Sequence, residues 1–524
     1  MKAHKYITII LLSFTTILFT QCTDAYDDYN KTGVNDDEGE RDAYFLRQHM
    51  VNMQNWVIPS VEHANQFTEQ LLGGPYGGYF ADASPGFNNR NFSTYTPENA
   101  WIVPTFDNAL KNSITSYNTI VSMTEDPIFL SVAKILKVMT MSRVTDVYGP
   151  VPYSQLGSTG ALNAAYDSQE KIYETMISEL NEAIEELTPN QTSLFSSKAD
   201  RFYGGKVLNW IKLANSVKLR LAIRMADVKA DLAKSTAESV INDPIGPITS
   251  NADNAVLLLI SGQSNPYQTG MVEWNGGDSR ISADITSYMN GYNDPRREKY
   301  FDVSEAFGGI FVGFRSGVTI PSPQATVQQY SNMSESMRKE SSMRIMCAAE
   351  TAFLRAEGAL RGWSMGGTAK ELYESGITLS FEQNGVSGAA AYIENNTNTP
   401  GRYIDPLDNF TFSGATSTVK IAWDNATSAT AKETNLERII TQKWIAIFPN
   451  GIEAWTEFRR TGYPKLMPVI TNNSSVVSTS RMARRLPYPQ SEYTGNLTNV
   501  QYAVSNYLNG ADNMATDLWW AKKN

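Results

Sequence analysis

Cysteine and histidine are scarce in this chain of 524 residues. Its two cysteines are Cys22 and Cys347, so at most one disulfide could form, and none if either thiol is modified. Of the three histidines, His4 lies in the N-terminal leader, and neither His49 nor His63 has metal-ligand spacing or a serine-containing nucleophile turn beside it. Stability must therefore come from a packed core, and no histidine-based active site is expected.

Positive charge is also in deficit. The net charge is −10, and it becomes −12 without the leader, which carries Lys2 and Lys5 but no acidic residue. This balance argues against a nucleic-acid partner and against docking on anionic lipid through a basic face. A glycine-rich phosphate loop followed by Lys and Ser or Thr is absent as well. What remains is a globular composition, 42% hydrophobic and 11% aromatic, in a chain long enough for a large core.

A short apolar run opens the chain and ends near Cys22. Lys2 and Lys5 give it a basic start, and residues 6–19 are apolar with several hydroxyl side chains among them. A membrane-spanning helix needs about 20 apolar residues, more than this interrupted run supplies. We interpret residues 1–21 as a lipoprotein signal peptide and Cys22 as the lipidated residue. The alternatives are an ordinary secretory leader with an incidental cysteine and a single membrane helix.

The segment after the leader is too polar to fold by itself. Residues 22–42 are rich in Asp, Glu and Asn, which predicts a lipidated flexible tether. Each methylene of an acyl chain on Cys22 would add roughly 0.8 kcal/mol of membrane affinity, so two or more chains would anchor the protein stably. Residues 43–524 are then predicted to form a single domain.

Apolar residues spaced by three and four predict a mainly α-helical domain. The predicted helices cover 168–187, 205–229, 343–361, a segment around 372–381, 435–447, and a further helix after a turn at 449–451. For the first helix, Asp167 is the expected N-cap and Glu170 completes a capping-box spacing. Closely spaced alanines in the third helix favour stacked helix pairs.

Two long segments, 73–107 and 261–332, lack helical periodicity and are rich in Gly and aromatic residues. Loops of this length inside a compact domain are usually functional or disordered, and their aromatic content argues against disorder. The run 309–314 looks like a strand. Tyr148 and Tyr153, with prolines between them, are interpreted as part of a rigid turn rather than as ligand contacts.

Short segments spread in order over nearly the whole chain carry a family resemblance. They are DVYGPVPY at 146–153, WIKLANSVKLRL at 210–221, NDPR at 293–296, ETAFLRAE at 350–357, QKWIA at 442–446, GIEAW at 451–455, RRTGYP at 459–464, RRLPYP at 484–489 and LWW at 518–520. Together they resemble the SusD/RagB family of nutrient-binding outer-membrane lipoproteins.

The resemblance implies tetratricopeptide-like helix pairs packed against a loop-rich ligand-binding portion with few short strands. It also implies a partner, a TonB-dependent SusC-like outer-membrane transporter over which the lipoprotein sits as a lid. The expected location is the outer membrane of a member of the Bacteroidetes, lipid-anchored and facing the cell exterior.

Carbohydrate binding without catalysis needs aromatic faces for sugar rings, and amide or charged groups for hydroxyls. Both long loops have this mixture, and the resemblance places the ligand face in loops outside the helix repeats. The expected ligand-binding residues are Tyr76, Tyr79, Phe80, Phe87, Asn88, Arg90, Trp274, Tyr292, Phe314 and Arg315. For any one of these aromatic residues, core packing or contact with the transporter is the alternative.

An enzyme is the competing class. Glu350 and Glu357 lie two helical turns apart and could project together as an acid/base pair. Salt bridges to the nearby Arg344 and Arg355 are the simpler interpretation, so no catalytic residue is expected.

Other charged residues are likewise interpreted as structural. The arginine pairs at 459–460 and 484–485 could clamp a carboxylate, but pairing with the chain's own acids is expected. Lys212, Lys218, Arg220 and Arg224 are interpreted as a solvated or salt-bridged helix face.

The sequence therefore predicts a surface lipoprotein that binds a nutrient, with an oligosaccharide as the first choice, and delivers it to a SusC-like transporter without breaking a bond. No cofactor is expected, and although no loop has the ordered ligand spacing of a calcium motif, a structural calcium ion held by loop carbonyls and Asp is left open. A binder of peptide or another non-sugar nutrient remains open, as does a structural component of the transporter complex without its own ligand.

Overall fold

Helices dominate the computed structural model, which describes residues 44–156 and 163–522. In this part of the chain the α-helices of nine or more residues are α1 (Tyr44–Val57), α2 (Asn99–Asn108), α3 (Thr115–Met123), α4 (Pro127–Tyr148), α5 (Gln169–Leu187), α6 (Val207–Arg224), α7 (Ala230–Asn242), α8 (Ala283–Gly291), α9 (Ala348–Leu360), α10 (Ala369–Gln383), α11 (Ala429–Ala446), α12 (Gly451–Thr461) and α13 (Leu497–Asn506). The mainly α prediction is confirmed. The predicted leader and tether, with Cys22, lie outside the described residues.

Shorter helical segments fill the connections. The α-helical ones are Glu62–Asn65, Gly74–Tyr76, Pro266–Gln268, Arg297–Tyr300, Ala325–Gln328, Glu335–Arg338, Ala389–Ile393 and Gln490–Gly495, and the π-helical ones are Gln66–Gly73, Ala109–Ile114 and Thr269–Glu273. The strands are β1 (Phe80–Asp82), β2 (Val151–Pro152), β3 (Tyr166–Asp167), β4 (Ala255–Leu258), β5 (Ser279–Ile281) and β6 (Ser342–Met346), and they form the antiparallel pairs β1–β5, β2–β3 and β4–β6.

Successive helices pack against each other in pairs, as the resemblance implies. Helix α4 packs on α5, α6 on α7, and α9 on α10, while α5–α6 and α9–α11 contacts join the pairs. In α5 the stripe of Ile172, Met176, Leu180 and Leu187 is buried, which explains why this amphipathic sequence is helical in the folded chain. Among the described residues, no helix is both long and apolar enough to span a lipid bilayer.

The predicted start of α5 is wrong by one residue. Asp167 belongs to β3, where it pairs with Val151, and its carboxylate accepts hydrogen bonds from Ser154. The N-cap is Ser168, whose hydroxyl oxygen accepts a hydrogen bond from the backbone N–H of Lys171. Since the cap lies one residue later, Glu170 is not at the capping-box position.

Three other boundaries also differ from prediction. Helix α6 ends at Arg224 because tighter turns follow, with Ala226 N–H bonded to Ile223 O. The segment predicted as helix 343–361 begins as strand β6, which pairs with β4, and becomes helical only at Ala348. Helix α11 starts earlier than predicted because Ser428 caps it.

The strand-like run 309–314 forms only isolated bridges, Ser304 with Ile310 and Ser282 with Phe314. The rigid turn after α4 is confirmed, since the helix ends at Tyr148 and Gly149 follows with a φ of 87°.

A buried network of charges joins four helices. Arg224 of α6 lies 2.7 Å from Glu453 of α12, and Lys443 of α11 lies 2.9 Å from the same carboxylate. Glu350 of α9 receives two hydrogen bonds from Arg220, each 2.7 Å long. Burial opposes ionisation of Glu453, but Arg224 and Lys443 hold its pKa well below the ordinary value. Of the four cations named along α6, Lys212, Arg220 and Arg224 are therefore salt-bridged, and Lys218 donates a hydrogen bond to Asn181.

Candidate ligand-binding site

Six of the ten expected ligand-binding residues lie in the interior. Tyr76, Tyr79, Phe80, Tyr292, Phe314 and Arg315 are each exposed by 2% or less. Their tyrosine hydroxyls bond to the chain itself: Tyr292 donates to Val419 O, and Tyr76 donates to Phe92 O. These side chains present no surface to a ligand, so they are assigned to the core. The expectation of ligand contact is kept for Phe87, Asn88, Arg90 and Trp274.

The burial has a simple cause. The glycines near Tyr76 allow the chain to pass against α12, where a side chain on Gly73 would lie 2.5 Å from the backbone of Ile452. The segment that looks like a hinged surface loop is thereby drawn under the helix. Tyr79 then stacks on Trp444, with ring centroids 5.6 Å apart.

The pairing of β1 with β5 brings the two expected loops together. In this antiparallel pair Asp82, the last residue of β1, lies opposite Ser279, the first residue of β5. The loop that leaves β1 carries Phe87, and the loop that enters β5 carries Trp274. Both aromatic residues therefore belong to the same end of a two-stranded sheet, although they are far apart in sequence.

Five aromatic rings form a continuous series, which we call the aromatic row: Trp274, His63, Phe67, Trp101 and Phe87. Neighbouring ring centroids lie 6.4, 4.9, 5.0 and 5.0 Å apart in that order. His63 is exposed, Trp101 is largely buried, and the other three are partly exposed. The row thus combines surface-accessible rings with one buried ring that supports them.

Sequence reasoning missed three members of the row. His63 and Phe67 are four residues apart, the spacing that places two side chains on one helix face, which was the available signal. Trp101 lies in α2, where its position beside Phe87 depends on tertiary packing. His63 and Phe67, like Trp101 and Phe87, are far from Trp274 in sequence.

Buried carboxyl groups lie beneath the row. Asp278 accepts hydrogen bonds from Gln66 at 2.6 Å and from Asn275 at 3.0 Å, the neighbours of Phe67 and Trp274. Burial raises the pKa of Asp82 to about 7; the hydrogen bond from Ser93 lowers it, and the charge of Asp278 raises it further. These bonds hold the two ring-bearing segments in place.

Polar groups flank the row. Asn275 and Asn89 have left-handed φ angles of 53° and 63°, which asparagine tolerates better than most residues. Exposed Arg90 lies 3.2 Å from Glu98. Asn88 both donates to and accepts from the backbone of Ile320, so its amide positions the loop. The surface offers ring faces beside amide and charged groups, the mixture that sugar rings require.

The acid/base pair considered from the sequence is not available for chemistry. Glu357 is bound by Arg460 and Arg361, and Glu350 by Arg220, with both carboxylates 1% exposed. The expected partners are wrong, because Arg344 lies 3.5 Å from Glu340 and Arg355 bonds to Met365 O. Nor do the described residues bring three metal-ligating side chains together.

The two arginine pairs are mostly structural, as expected. Arg460 binds Glu357 and Glu457, Arg484 binds Asp517, and Arg485 binds Asp512. Arg459 departs from this pattern, because it stacks on Trp455 instead of pairing with an acid.

The helix pairs and the few short strands define a helical protein of the tetratricopeptide-like type. The family model described as "SusD-like: Susd and RagB outer membrane lipoprotein" matches residues 28–521. The chain belongs to this family, and no curated protein matches it.

Solved structures of relatives are closely similar. A SusD homologue from Bacteroides uniformis is 43% identical with a TM-score of 0.87, the match covering 92% of this chain and 100% of that one. A homologue from Bacteroides ovatus is 39% identical with a TM-score of 0.85, covering 92% and 100%. A chitin-binding SusD homologue from Flavobacterium johnsoniae is 39% identical with a TM-score of 0.87, covering 91% and 99%.

Proposed function

We propose that the chain binds an oligosaccharide along the aromatic row. The carrying observation is the continuity of the five rings, of which His63, Phe67, Phe87 and Trp274 reach the surface and Trp101 supports them from below. Asn275 and Asn89 flank these rings, and Arg90 and Glu98 add charged hydrogen-bonding groups nearby. A surface of this kind favours an extended ligand with alternating apolar faces and hydroxyl edges.

An oligomer of N-acetylglucosamine is the first ligand to test. The relative from Flavobacterium johnsoniae is described as chitin-binding, and it is 39% identical over nearly the whole chain. Stacking would supply affinity, and the amides would select for the acetamido and hydroxyl groups. Because these contacts are non-covalent, the proposed function involves no cofactor and no bond-breaking step.

Delivery of the ligand would depend on the N-terminal segment and on a partner protein. Cys22 would carry the acyl chains, residues 22–42 would form the tether, and residues 43–524 would form one domain outside the outer membrane. The bound oligosaccharide would pass to a TonB-dependent SusC-like transporter. Family membership supports the outer-membrane lipoprotein part of this account.

A titration tests the binding step. A chain that starts at residue 23 keeps every described element, so its fold is retained without the leader. We expect saturable heat release with N-acetylglucosamine oligomers in calorimetry and an unchanged oligomer afterwards by mass spectrometry. Hydrolysed product would contradict a passive binder.

Other ligands tested in the same way distinguish the two alternative functions. Binding of peptides from a random panel, without binding of any glycan, would instead favour a non-sugar nutrient. If no ligand binds and alanine substitutions in the row leave uptake by the intact cell unchanged, the chain is a structural part of the transporter complex.

A further inference from the structure

A basic cavity lies apart from the aromatic row. It has a volume of about 350 Å³ and is formed by the C-terminal end of α12 and the irregular segment 465–484. Its cationic lining residues are Arg459, Lys465, Arg481, Arg484 and Lys522, and no Asp or Glu is among the lining residues. Such a concentration of positive charge is unexpected in a chain whose net charge is −10.

Arg459 is the unusual member of this group. It is fully buried, and its guanidinium lies 3.6 Å from the centre of the Trp455 ring. Three of its five N–H groups donate, to Trp455 O, Arg484 O and the Thr456 hydroxyl, at 3.3, 3.1 and 2.9 Å. Within the described residues no carboxylate forms a salt bridge with it. Burial lowers the pKa of Arg459 well below its ordinary value and the charge of Asp146 opposes this, so the guanidinium is compensated at a distance rather than by a direct salt bridge.

The other cations are only partly neutralised. Arg481 and Arg484 share one carboxylate, Asp517, at 2.8 and 2.7 Å. Arg481 uses only Nη2 for this contact, so its Nε and Nη1 make no hydrogen bond in the described chain. The two lysines have looser partners, Lys465 to Glu437 at 3.4 Å and Lys522 to Glu433 at 3.9 Å. Within the described residues, the four cations other than Arg459 form direct salt bridges with three carboxylates, those of Glu433, Glu437 and Asp517.

We propose that this cavity binds the anionic group of an acidic sugar, a carboxylate or a sulfate ester, through Arg481, with the exposed Lys465 and Lys522 adding positive charge. Guanidinium groups bind both kinds of oxyanion in a bidentate manner. The volume falls within the range of about 300–1,000 Å³ that is typical of small-ligand sites. Phe458 and Leu466 supply an apolar wall for a sugar ring, and Thr479 and Ser480 supply hydroxyls. The cavity shares no residue with the aromatic row, so this is a second site.

Calorimetry on the chain that starts at residue 23 tests this site. The probes are glucuronate, N-acetylglucosamine 6-sulfate, their neutral parent sugars and inorganic sulfate, all at low ionic strength. We expect one or both acidic sugars to bind with a stoichiometry of one while the neutral monosaccharides do not. Binding of glucuronate alone identifies a carboxylate, and binding of the sulfated sugar alone a sulfate ester. Binding of neither overturns the proposal, and equal affinity for inorganic sulfate overturns its assignment to a sugar.

A matched pair of variants locates the bound anion. Arg481→Gln should lower the affinity for the acidic sugar by about tenfold or more, because one bidentate contact is lost. Arg402→Gln, at an exposed arginine outside the cavity, should leave the affinity unchanged. Arg481 is 32% exposed, so the fold should survive, as an unchanged melting temperature would verify. Equal affinities in both variants overturn the site. Neutral oligomers are measured separately on the unchanged chain, so failure of the aromatic row is a distinct result.

Discussion

At the scale of single residues, two aromatic side chains from similar loops have opposite roles. Tyr79 is fully buried, and its hydroxyl bonds to Trp444 O, whereas Trp274 is partly exposed at one end of the aromatic row. Both lie in glycine-rich segments of similar composition. The difference depends on Trp444, which is 365 positions from Tyr79. Composition identifies aromatic loops, but the distant partner decides which ring reaches the surface.

Asp82 should make stability depend on pH near neutrality. Its folded pKa of about 7 lies above the ordinary value of 3.8, so the folded chain binds a proton more tightly than the unfolded chain. The free energy of unfolding should therefore fall as the pH rises from about 4 to 7, by at most about 1.4 kcal/mol per pH unit from this group. Asp82→Asn should remove this part of the slope in urea unfolding measured at several pH values.

Asp408→Asn is the control for that measurement. Asp408 is exposed and has a φ of 56°, which asparagine accepts. Its variant should keep the slope of the original chain. If Asp82→Asn and Asp408→Asn have the same pH dependence, Asp82 does not bind the proton on folding.

At the scale of elements, the spacing of apolar residues predicted which segments are helical, but it often misplaced the first and last residues of the helices. The apolar stripe of α5 predicted its C-terminal residue correctly, because burial of that stripe also determines the observed helix. The cap was misplaced because Asp167 and Ser168 are both good N-cap residues, and pairing of β3 with β2 decides between them. Strand β6 was missed because its partner β4 lies far away in the sequence.

The candidate site shows the same limit. Each loop was recognised as aromatic, yet the row exists only because β1 pairs with β5 and because α2 packs against the helical segments that carry His63 and Phe67. No local pattern specifies that pairing. His63 and Phe67 could be predicted as neighbours of each other, but not as neighbours of Trp274.

One close approach between elements predicts a sensitive position. A Cβ on Gly451 would lie 2.5 Å from the backbone carbon of Gly73, so α12 cannot keep its place beside the π-helical segment Gln66–Gly73 with a larger residue. Gly451→Ala should lower the free energy of unfolding by about 1–3 kcal/mol, which is measurable by denaturant titration.

Gly495→Ala is the matched substitution for that experiment. A Cβ at Gly495 would meet no atom within 4 Å. This variant should stay within about 0.5 kcal/mol of the original chain. A small effect at Gly451 as well would mean that α12 can move away without cost.

At the scale of the whole molecule, the buried charge network joins the helices α6, α9, α11 and α12. Burial opposes ionisation of Glu357, but Arg460 and Arg361 lower its pKa to about 2. A carboxylate with a lowered folded pKa stabilises the fold above its unfolded pKa, near 4.5, and loses that contribution as the pH falls towards the folded value. The chain should therefore lose stability between about pH 4.5 and pH 2.

Acid unfolding followed by circular dichroism tests the network. Glu357→Gln should destabilise the chain at pH 7, by about 3–5 kcal/mol if the unpaired arginines stay buried, and should flatten its loss of stability below pH 4.5. Glu185→Gln, at an exposed glutamate, should behave like the original chain. A steep acid transition that persists unchanged in Glu357→Gln would show that other carboxylates dominate.

The most direct test of the central claim compares two tryptophan variants in calorimetry with N-acetylglucosamine oligomers of increasing length. Trp423, which is partly exposed beside Tyr373, lies outside the aromatic row and is the control for Trp274. We predict that affinity for the original chain and Trp423→Ala rises with oligomer length, and that Trp274→Ala lowers it by at least about tenfold. Equal affinities for both variants, or no dependence on length, would contradict a ligand bound along the row.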